Sequence, residues 1–408
     1  MRSRHIAECR RCGRLLAGPA TGRVDAPLAL AVTALLLLVP ATAEPLLTVI
    51  SYGAARVCWL ASGIAGLWRE GFVSLAGVVG AFSLAFPYLY LLSLIAVLGA
   101  LRFGAGRHLG TPFRWVMRLR PWMMVEIFLV GCFVAYSRLR LVATVDVQVG
   151  GWCLMCATLA LLLALTQLDE RTVWDALPLL HPVSRQRRSG LQRHARSPWG
   201  GRSGGRPSSH GGDGAIACTT CELLVVGARC GDACPRCRAA LHHRKPHAFA
   251  ATAALVTAGF LLYIPANALP VLTLVSLGHR QSNTIITGVL ELMHNRLWPL
   301  ALIVFLASIV VPLLKLCGLT WMLLATLQRS PRLLVGRTRL HRMIEAVGSW
   351  SNLDVFVASV LVALLQFGAI AQAQAGAGLT AFSAVVILTM IATRTFDTRL
   401  MWDASRGE

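Results

Sequence analysis

The stretch PHAFAATAALVTAGFLLYIPANALPVLTLVSLGH, residues 246–279, contains no Asp, Glu, Lys or Arg. It is longer than the roughly 20 apolar residues that an α-helix needs to cross a bilayer. Other uncharged runs of this kind occur throughout the chain, at residues 26–43, 71–101, 147–168, 297–314 and 355–393. The sequence therefore predicts an integral membrane protein with several helical spans.

The composition excludes the main soluble classes. Of the 408 residues, 56% are hydrophobic and 14% are charged, against about 25% charged in ordinary soluble domains. A soluble enzyme, a disordered chain and a disulfide scaffold are all inconsistent with this balance. The net charge of +21 would suggest nucleic acid in a soluble protein. Here the Arg residues cluster in short segments between apolar runs, which is typical of membrane flanks and predicts no nucleic-acid partner.

We predict eight transmembrane helices. Run 355–393 is too long for one helix and contains a Gln, Ala and Gly-rich break at 372–378, so it is divided in two. One further span carries a single acid, Glu126. The predicted spans lie near residues 27–50, 73–101, 122–141, 150–168, 248–275, 298–327, 350–369 and 379–395.

The distribution of Arg predicts the orientation. With the N-terminus inside, the inner segments are rich in Arg, whereas each outer loop holds at most two. These outer pairs are Arg56 and Arg69, Arg138 and Arg140, and Arg280 and Arg296. By the positive-inside rule, both termini should face the cytoplasm.

The chain is an internal duplication. At a shift of 225 residues, Cys9-x-x-Cys12 falls on Cys234-x-x-Cys237, and 40–45 falls on 265–270. At a shift of 228, three further positions match in order: Trp122, Glu126 and Phe128 fall on Trp350, Asp354 and Phe356. An even number of helices per repeat makes the two halves parallel, related by an axis along the membrane normal.

The predicted fold class is therefore an all-α integral membrane protein with two parallel tandem modules of four transmembrane helices. A small cytoplasmic zinc-ribbon head precedes the second module, and a truncated head precedes the first. The predicted domains are a partial head at 1–25, the first module at 26–183, a flexible basic linker at 184–217, the zinc ribbon at 218–245 and the second module at 246–408.

The strongest chemical motif is a pair of CxxC knuckles. Two such knuckles, separated by twelve residues, can close a tetrahedral thiolate site for Zn²⁺; they are Cys218, Cys221, Cys234 and Cys237. A redox dithiol pair or free thiols are the alternatives. Spare donors nearby are predicted to be bystanders: Cys230, His242 and His243.

The head of the first half offers only two ligands, Cys9 and Cys12, which align with the second knuckle of the other head. Two thiolates do not make a stable zinc site. Either the chain begins upstream of Met1 or this head is degenerate, and the sequence leaves both possibilities open.

Ionisable groups inside spans usually face a partner or a wet cavity. Lys315 lies in the sixth span, Asp354 opens the seventh, and Glu126 is the counterpart of Asp354 in the first half. We predict that Lys315 pairs with Asp354. The alternative for the two acids is a dipole contact at a helix N-terminus, and for Lys315 it is snorkelling to the interface.

Prolines within the first two helices of each half leave backbone groups unpaired. They are Pro40, Pro45, Pro87, Pro265, Pro270 and Pro312. Such breaks either line a substrate path or mark helix ends at the outer interface.

Four blocks of the second half resemble the paraquat-inducible protein A family (PqiA/LetA) of Gram-negative inner membranes. They follow the Cys218–Cys237 head in the family's order: YIPANALPVL at 263–272, VPLLKL at 311–316, WSNLDVFV at 350–357 and FDTRLMWD at 396–403. The resemblance covers nearly the whole chain in both halves. It departs at the N-terminus, where the first knuckle of the first ribbon is absent.

The resemblance implies two cytoplasmic zinc ribbons, two four-helix modules and an inner-membrane location. It also implies a periplasmic MCE-domain protein as partner, phospholipid as cargo, and an intramembrane polar network of Lys315, Asp354 and Thr389. We therefore expect a non-enzymatic component of intermembrane lipid trafficking, without a nucleotide-binding loop. A secondary transporter of a small solute is one alternative. A membrane thiol oxidoreductase using Cys153-x-x-Cys156 is the other, although these two thiols are predicted to be core residues.

Overall fold

The computed structural model describes residues 7–8, 15–17, 24–51, 54–104, 108–140, 143–178, 215–276, 279–365 and 371–405. Within this part of the chain, eight helical segments are long and apolar enough to cross a membrane. They are Asp25–Ala43, Val73–Arg102, Gly110–Leu139, Val149–Gln167, Ala248–Ala268, Trp298–Leu327, Leu334–Leu364 and Ala377–Thr395. The predicted number of spans is confirmed, and the protein is a multi-pass membrane protein.

The elements up to residue 178 form the first half. Two short strands precede the first helix, β1 (Ala7–Glu8) and β2 (Leu15–Ala17). The remaining elements are α1 (Asp25–Ala43), β3 (Leu47–Ser51), β4 (Ala54–Cys58), α2 (Ser62–Arg69), α3 (Val73–Gly80), α4 (Phe86–Arg102), α5 (Gly110–Leu119), α6 (Val125–Leu139), β5 (Thr144–Val147), α7 (Val149–Gln167) and α8 (Glu170–Ala176).

The second half repeats this order after a small head with strands β6 (Ala215–Ala217) and β7 (Leu224–Val226). Its elements are α9 (Ala248–Ala268), β8 (Leu272–Ser276), β9 (His279–Asn283), α10 (Ile285–His294), α11 (Trp298–Phe305), α12 (Val311–Leu327), α13 (Leu334–Val347), α14 (Leu353–Leu364), β10 (Ala371–Ala375), α15 (Ala377–Thr395) and α16 (Arg399–Ala404). Each element from α1 to α8 thus has a counterpart from α9 to α16. The predicted first head is largely undescribed, and Cys9 and Cys12 lie outside the described residues.

The first helix of each half ends earlier than predicted, because of proline. The last helical hydrogen bonds run from Glu44 N to Pro40 O and from Leu269 N to Pro265 O. The next residues, Pro45 and Pro270, have no N–H and cannot continue the ladder. Pro45 and Pro270 therefore mark helix ends, which was the second of the two expectations for these residues.

Two three-stranded antiparallel sheets follow these helix ends, and the sequence analysis did not predict them. The strand orders are β4-β3-β5 and β10-β8-β9. Strand β10 occupies the predicted Gln/Ala/Gly break, with Gln372 opposite Val275 and Gln374 opposite Thr273. In each half, the sheet pairs the two strands that follow the first span with the strand that precedes the last span, α7 or α15.

A π-helical turn interrupts the second span of each half, at Ala81–Ala85 and at Leu306–Val310. Each turn directly precedes a helix whose second residue is a proline, Pro87 or Pro312. Proline cannot donate to the carbonyl one turn earlier, and the wider π turn accommodates the gap that this leaves. Single π turns inside α-helices occur frequently at functional sites.

The two halves meet along the counterpart helices α6 and α14. Phe128 and Phe356, which occupy the same place in the two repeats, pack edge to face with ring centroids 5.5 Å apart. Gly131 permits this close approach, because a Cβ added there would lie 3.0 Å from Cβ of Phe356. Every residue of α14 is buried except Asp354 and Ala363, which are half-buried.

On one flank, α2 of the first half packs tightly on α14. A Cβ added to Gly63 would lie 2.8 Å from the carbonyl oxygen of Ser359, and one added to Gly66 would lie 3.2 Å from the Val362 side chain. Beyond the helix, the Glu70 carboxylate accepts a hydrogen bond of 2.8 Å from Ala375 N in β10. This flank is closed by small residues and one charge-assisted hydrogen bond.

The opposite flank differs at the counterpart positions, which are reached by the shift of 225 residues. Gly63 corresponds to Gly288 on α10, Gly66 to Glu291, and Glu70 to Asn295. Asn295 bonds the carbonyl of Glu291 in its own helix, at 3.0 Å. A long acidic side chain thus replaces a glycine where α10 faces α6, and a cavity remains between the halves.

Candidate functional site

Four cysteines of the small head form a cluster that fits a metal ion. All four thiols are buried, and their sulfur atoms lie within 4.8 Å of one another. The Sγ atoms of Cys218 and Cys237, and those of Cys221 and Cys234, are 3.6 Å apart. Tetrahedral Zn²⁺ with Zn–S bonds of about 2.3 Å requires sulfur separations of about 3.8 Å. The donor set therefore matches zinc in both chemistry and spacing.

The two knuckles have the same backbone geometry. Cys218 N donates to Leu223 O at 2.9 Å, and Cys234 N donates to Ala239 O at 2.8 Å. The residue after each CxxC has a left-handed φ, 55° at Glu222 and 57° at Arg238. Each turn therefore points both of its thiols toward the other knuckle.

Hydrogen bonds from the neighbouring thiols, that of Cys221 first, lower the pKa of Cys218. A thiolate is the form that binds metal. The cluster closes without the spare donors, because Cys230 is exposed and neither His242 nor His243 belongs to it.

The head links the two halves through ion pairs with counterpart residues. Arg236 pairs with Asp175 of α8 at 3.5 Å. Arg244, near the end of the head, binds Asp403 of α16 with two hydrogen bonds of 2.5 and 2.9 Å. Asp175 and Asp403 are the same position in the two repeats. Gly110 at the start of α5 allows close seating, since a Cβ there would collide with the Arg236 carbonyl.

A cavity of about 430 Å³ lies between the halves. One stripe of α14 lines it along the length of that helix, through Val357, Ala358 and Leu361, with Asp354 at one end and Leu365 just beyond the other. This is the i, i+3, i+4 spacing of a single helix face. The remaining wall comes from β8 and the residue before it, from the end of β9, from α10, from α11 and from the end of α6. The volume lies within the roughly 300–1,000 Å³ range of ligand pockets.

Of the residues that the structure describes, three with ionisable side chains line this cavity: Arg138, Glu291 and Asp354. The terminal nitrogens of Arg138 lie against Gly288, 3.6 and 3.9 Å from where a Cβ would stand. Its Nε is buried and has no hydrogen-bond partner in the described part of the chain. Asp354 interacts with the Ser308 hydroxyl and with Arg138. The cavity is thus apolar along its length and carries charges of both signs.

Lys315 does not pair with Asp354, contrary to the sequence prediction. Its side chain is 1% exposed, and its Nζ donates to Gly348 O at 2.5 Å and to Ser351 Oγ at 2.8 Å. Both acceptors belong to the 3₁₀ turn Gly348–Asn352, which leads directly into α14. The ammonium finds neutral oxygens nearer than the carboxylate, so Lys315 contacts the base of α14 and not the cavity.

Ser308 is a polar group that the sequence analysis missed. It is buried in the π turn, and its hydroxyl has no partner that satisfies hydrogen-bond geometry among the described residues. Its counterpart Ser83 instead donates to Val79 O at 2.6 Å, within its own helix. The same π turn therefore satisfies its serine in the first half and leaves it facing Asp354 in the second.

The other two residues of the predicted network lie apart from the cavity. Thr389 is buried on α15, and its hydroxyl donates to Val386 O at 2.9 Å. Glu126 is half-buried in the first turn of α6. Neither of them lines the cavity.

Among the described residues, the cysteines outside the four-cysteine cluster form no second group that could hold a metal ion. Cys153 is half-buried and Cys156 is exposed, both on α7, so the prediction that both are buried is wrong. Burial raises the pKa of Cys58 to about 12, which makes that thiol unreactive.

Arg138 and Glu291 also escaped the sequence analysis as cavity residues. Arg138 was counted only as a charge of an outer loop. Glu291 had a usable signal, because it is an acid within the apolar run of α10 and its repeat counterpart is Gly66. Comparing the repeats position by position identifies such asymmetries without a structure.

Residues 24–178 and 249–406 each match the family described as paraquat-inducible protein A. The chain belongs to this family. The two matches cover α1 to α8 and all but the first residue of α9 through α16, so the family's sequence pattern occurs once in each half.

Paraquat-inducible protein A relatives carry transport names. The chain is 29% identical over 401 residues to the intermembrane transport protein PqiA of Escherichia coli K12, covering 97% of this chain and 90% of that protein. It is 29% identical over 406 residues to the lipophilic envelope-spanning tunnel protein A of the same strain, covering 98% and 87%. A probable intermembrane transport protein of Haemophilus influenzae is 32% identical over 169 residues, 41% of each chain. No solved structure matches.

The metal centre makes a direct prediction. Substituting Cys221→Ser removes one of four ligands, and we expect the purified protein to lose one equivalent of zinc relative to wild type, measured by mass spectrometry of the metal. Cys230→Ser is the matched control and should retain all of it. Zinc content that is unchanged in Cys221→Ser would contradict the assignment.

Proposed function

We propose that this protein passes phospholipid between the inner membrane and a periplasmic MCE-domain tunnel, as a component of an intermembrane trafficking system. The activity is transport, without catalysis of a chemical step. The observation that carries the proposal is the cavity beside α14, which offers apolar walls and charged side chains in one space. This is the combination that an amphiphile with a polar head group needs.

The names of the relatives support a role between membranes. Two of these names describe intermembrane transport, and a third describes an envelope-spanning tunnel. The MCE-domain partner follows from the family resemblance. In this proposal the chain loads or unloads the tunnel at the membrane.

The proposed architecture is two parallel tandem modules, residues 26–183 and 246–408, with both termini cytoplasmic. The recurrence of every element from α1 to α8 in α9 to α16 supports it. The linker at 184–217 joins the modules, and the ribbon at 218–245 holds zinc. The ribbon bridges the counterpart helices α8 and α16, and thereby fixes the cytoplasmic ends of the modules relative to each other.

The proposed polar network acts through the backbone of α14. Lys315 holds the 3₁₀ turn at the base of that helix, and Asp354 in its first turn faces the cavity. Thr389 lies on α15, which packs against the same turn. A change in the contacts of Lys315 would move the turn, and with it the cavity wall. Glu126 occupies the counterpart position of Asp354 at the base of α6.

A photoreactive amino acid at Ala358 tests whether lipid enters the cavity. Ala358 is only 4% exposed, so bulk bilayer lipid does not reach it. We expect irradiation in membranes to yield a phospholipid adduct, identified by mass spectrometry. The same amino acid at Leu319, which is equally buried but belongs to a separate core cluster, should give none. Absence of an adduct at Ala358 would exclude the cavity as the lipid site.

The variant Lys315→Met tests the network. Methionine keeps most of the side-chain length but leaves the Gly348 carbonyl and Ser351 hydroxyl without the ammonium donor, a cost of about 1–3 kcal/mol. We expect the variant to fold, with a lower melting temperature, and to fail to complement a deletion strain. Thr320→Val on the same helix removes a hydroxyl that bonds only its own helix, and should complement. Full complementation by Lys315→Met would show that the charge is dispensable.

A further inference from the structure

Arg138 and Glu291 stand on one wall of the cavity. The guanidinium of Arg138 lies over Gly288, and Glu291 follows three residues later on the same helix, which places it on the same face. The two side chains, both in the described part of the chain, do not form an ion pair with each other. Each therefore keeps capacity for a ligand that reaches between them.

The surroundings of Arg138 favour an anion from outside the protein. The charges of Asp354 and Glu291 act on Arg138, but its Nε is buried and has no hydrogen-bond partner among the described residues. A half-buried guanidinium whose Nε has no acceptor is costly in a membrane protein unless something accepts from it. A phosphate diester presents paired oxygens that suit the guanidinium fork.

Beside Arg138, the carboxylate of Glu291 favours a positively charged group. Its carboxylate is exposed and has one long hydrogen bond, 3.3 Å from Asn283 Nδ2. Glu291 and Asn295 are both exposed, so this end of the cavity reaches the surface. A head group bearing only a negative charge would place that charge beside the carboxylate. A head group with a phosphate and an ammonium satisfies both side chains.

We infer that the cavity selects a zwitterionic aminophospholipid, with Arg138 binding the phosphate and Glu291 the ammonium. The apolar stripe of α14 then receives an acyl chain. This inference rests on the proposed lipid transport and names the class of lipid that the same site takes. Among the described residues, the closed flank lacks a counterpart of this carboxylate, because Gly66 stands at the position of Glu291.

The experiment uses the full-length protein with the photoreactive amino acid at Ala358, in vesicles of equal phosphatidylethanolamine and phosphatidylglycerol. We expect phosphatidylethanolamine adducts to exceed phosphatidylglycerol adducts by about tenfold, the discrimination that one charge-assisted hydrogen bond supplies. Glu291→Gln should bring the ratio close to one. Glu291→Lys should reverse it, and Arg138→Gln should reduce both adducts.

Arg140→Gln is the matched control. Arg140 is the exposed neighbour of Arg138 and lies over the Tyr136 ring at 5.5 Å, so its loss should leave the yield and the ratio unchanged. Melting temperature and zinc content confirm that each variant is folded. Glycerophosphoethanolamine, which has the head group without acyl chains, should not compete at equal concentration.

The outcomes separate this inference from the proposed function. Suppose that the two lipids form adducts in equal amounts, as they occur in the vesicles, and that Glu291→Gln does not change this ratio. That result would overturn the head-group selection and leave lipid transport standing. No adduct with either lipid in the parent protein would overturn both. Full competition by glycerophosphoethanolamine would show that the acyl chain adds nothing to binding, and would overturn its placement along the apolar stripe of α14.

Discussion

The packing of α14 between the two halves is the constraint on which the rest of the structure depends. This helix contacts α6 through a pair of counterpart phenylalanines and contacts α2 through two glycines. Glycine allows the backbones to approach closely, which is how helices commonly associate in a membrane, where no hydrophobic force drives them together. On the other flank the counterpart of Gly66 is Glu291, and no such approach occurs. A doubled fold thereby acquires one closed side and one cavity.

The charged groups of the interior follow from the same asymmetry. A buried charge in a membrane protein needs a partner or water. Lys315 finds carbonyl and hydroxyl oxygens at the base of α14, whereas Arg138, Glu291 and Asp354 meet around the cavity. The π turn at Leu306–Val310 adds the Ser308 hydroxyl to this group. These groups are gathered beside the space that helix packing leaves between α10 and the α6–α14 pair.

The sequence predicted the helical framework because a membrane imposes a simple requirement, a long apolar run for each span. The eight spans were recovered in this way, and the four-cysteine cluster was recovered from the spacing of its two knuckles. The sheets were missed because their strands are only four or five residues long and adjoin apolar runs, so their alternation is hidden. Proline set the helix ends several residues earlier than run length suggested.

Side-chain partners were the least predictable feature. Lys315 and Asp354 are opposite charges on neighbouring spans, and pairing was the natural expectation, but the Gly348 carbonyl and the Ser351 hydroxyl accept from the ammonium instead. In the sequence, Arg138 counts only as one of the two Arg residues of an outer loop, under the positive-inside rule. Its position over Gly288 depends on how the halves pack together, which no single span encodes.

The two flanks of α14 should differ in the membrane, with helices in direct contact on one side and a lipid-filled cavity on the other. A cryo-electron microscopy map of the protein in lipid nanodiscs tests this most directly. We expect continuous elongated density between α10 and the α6–α14 pair, ending beside Arg138 and Glu291, and direct helix contact with no such density between α2 and α14. Equal closure of both flanks, or lipid density only on the side of Gly63 and Gly66, would contradict it.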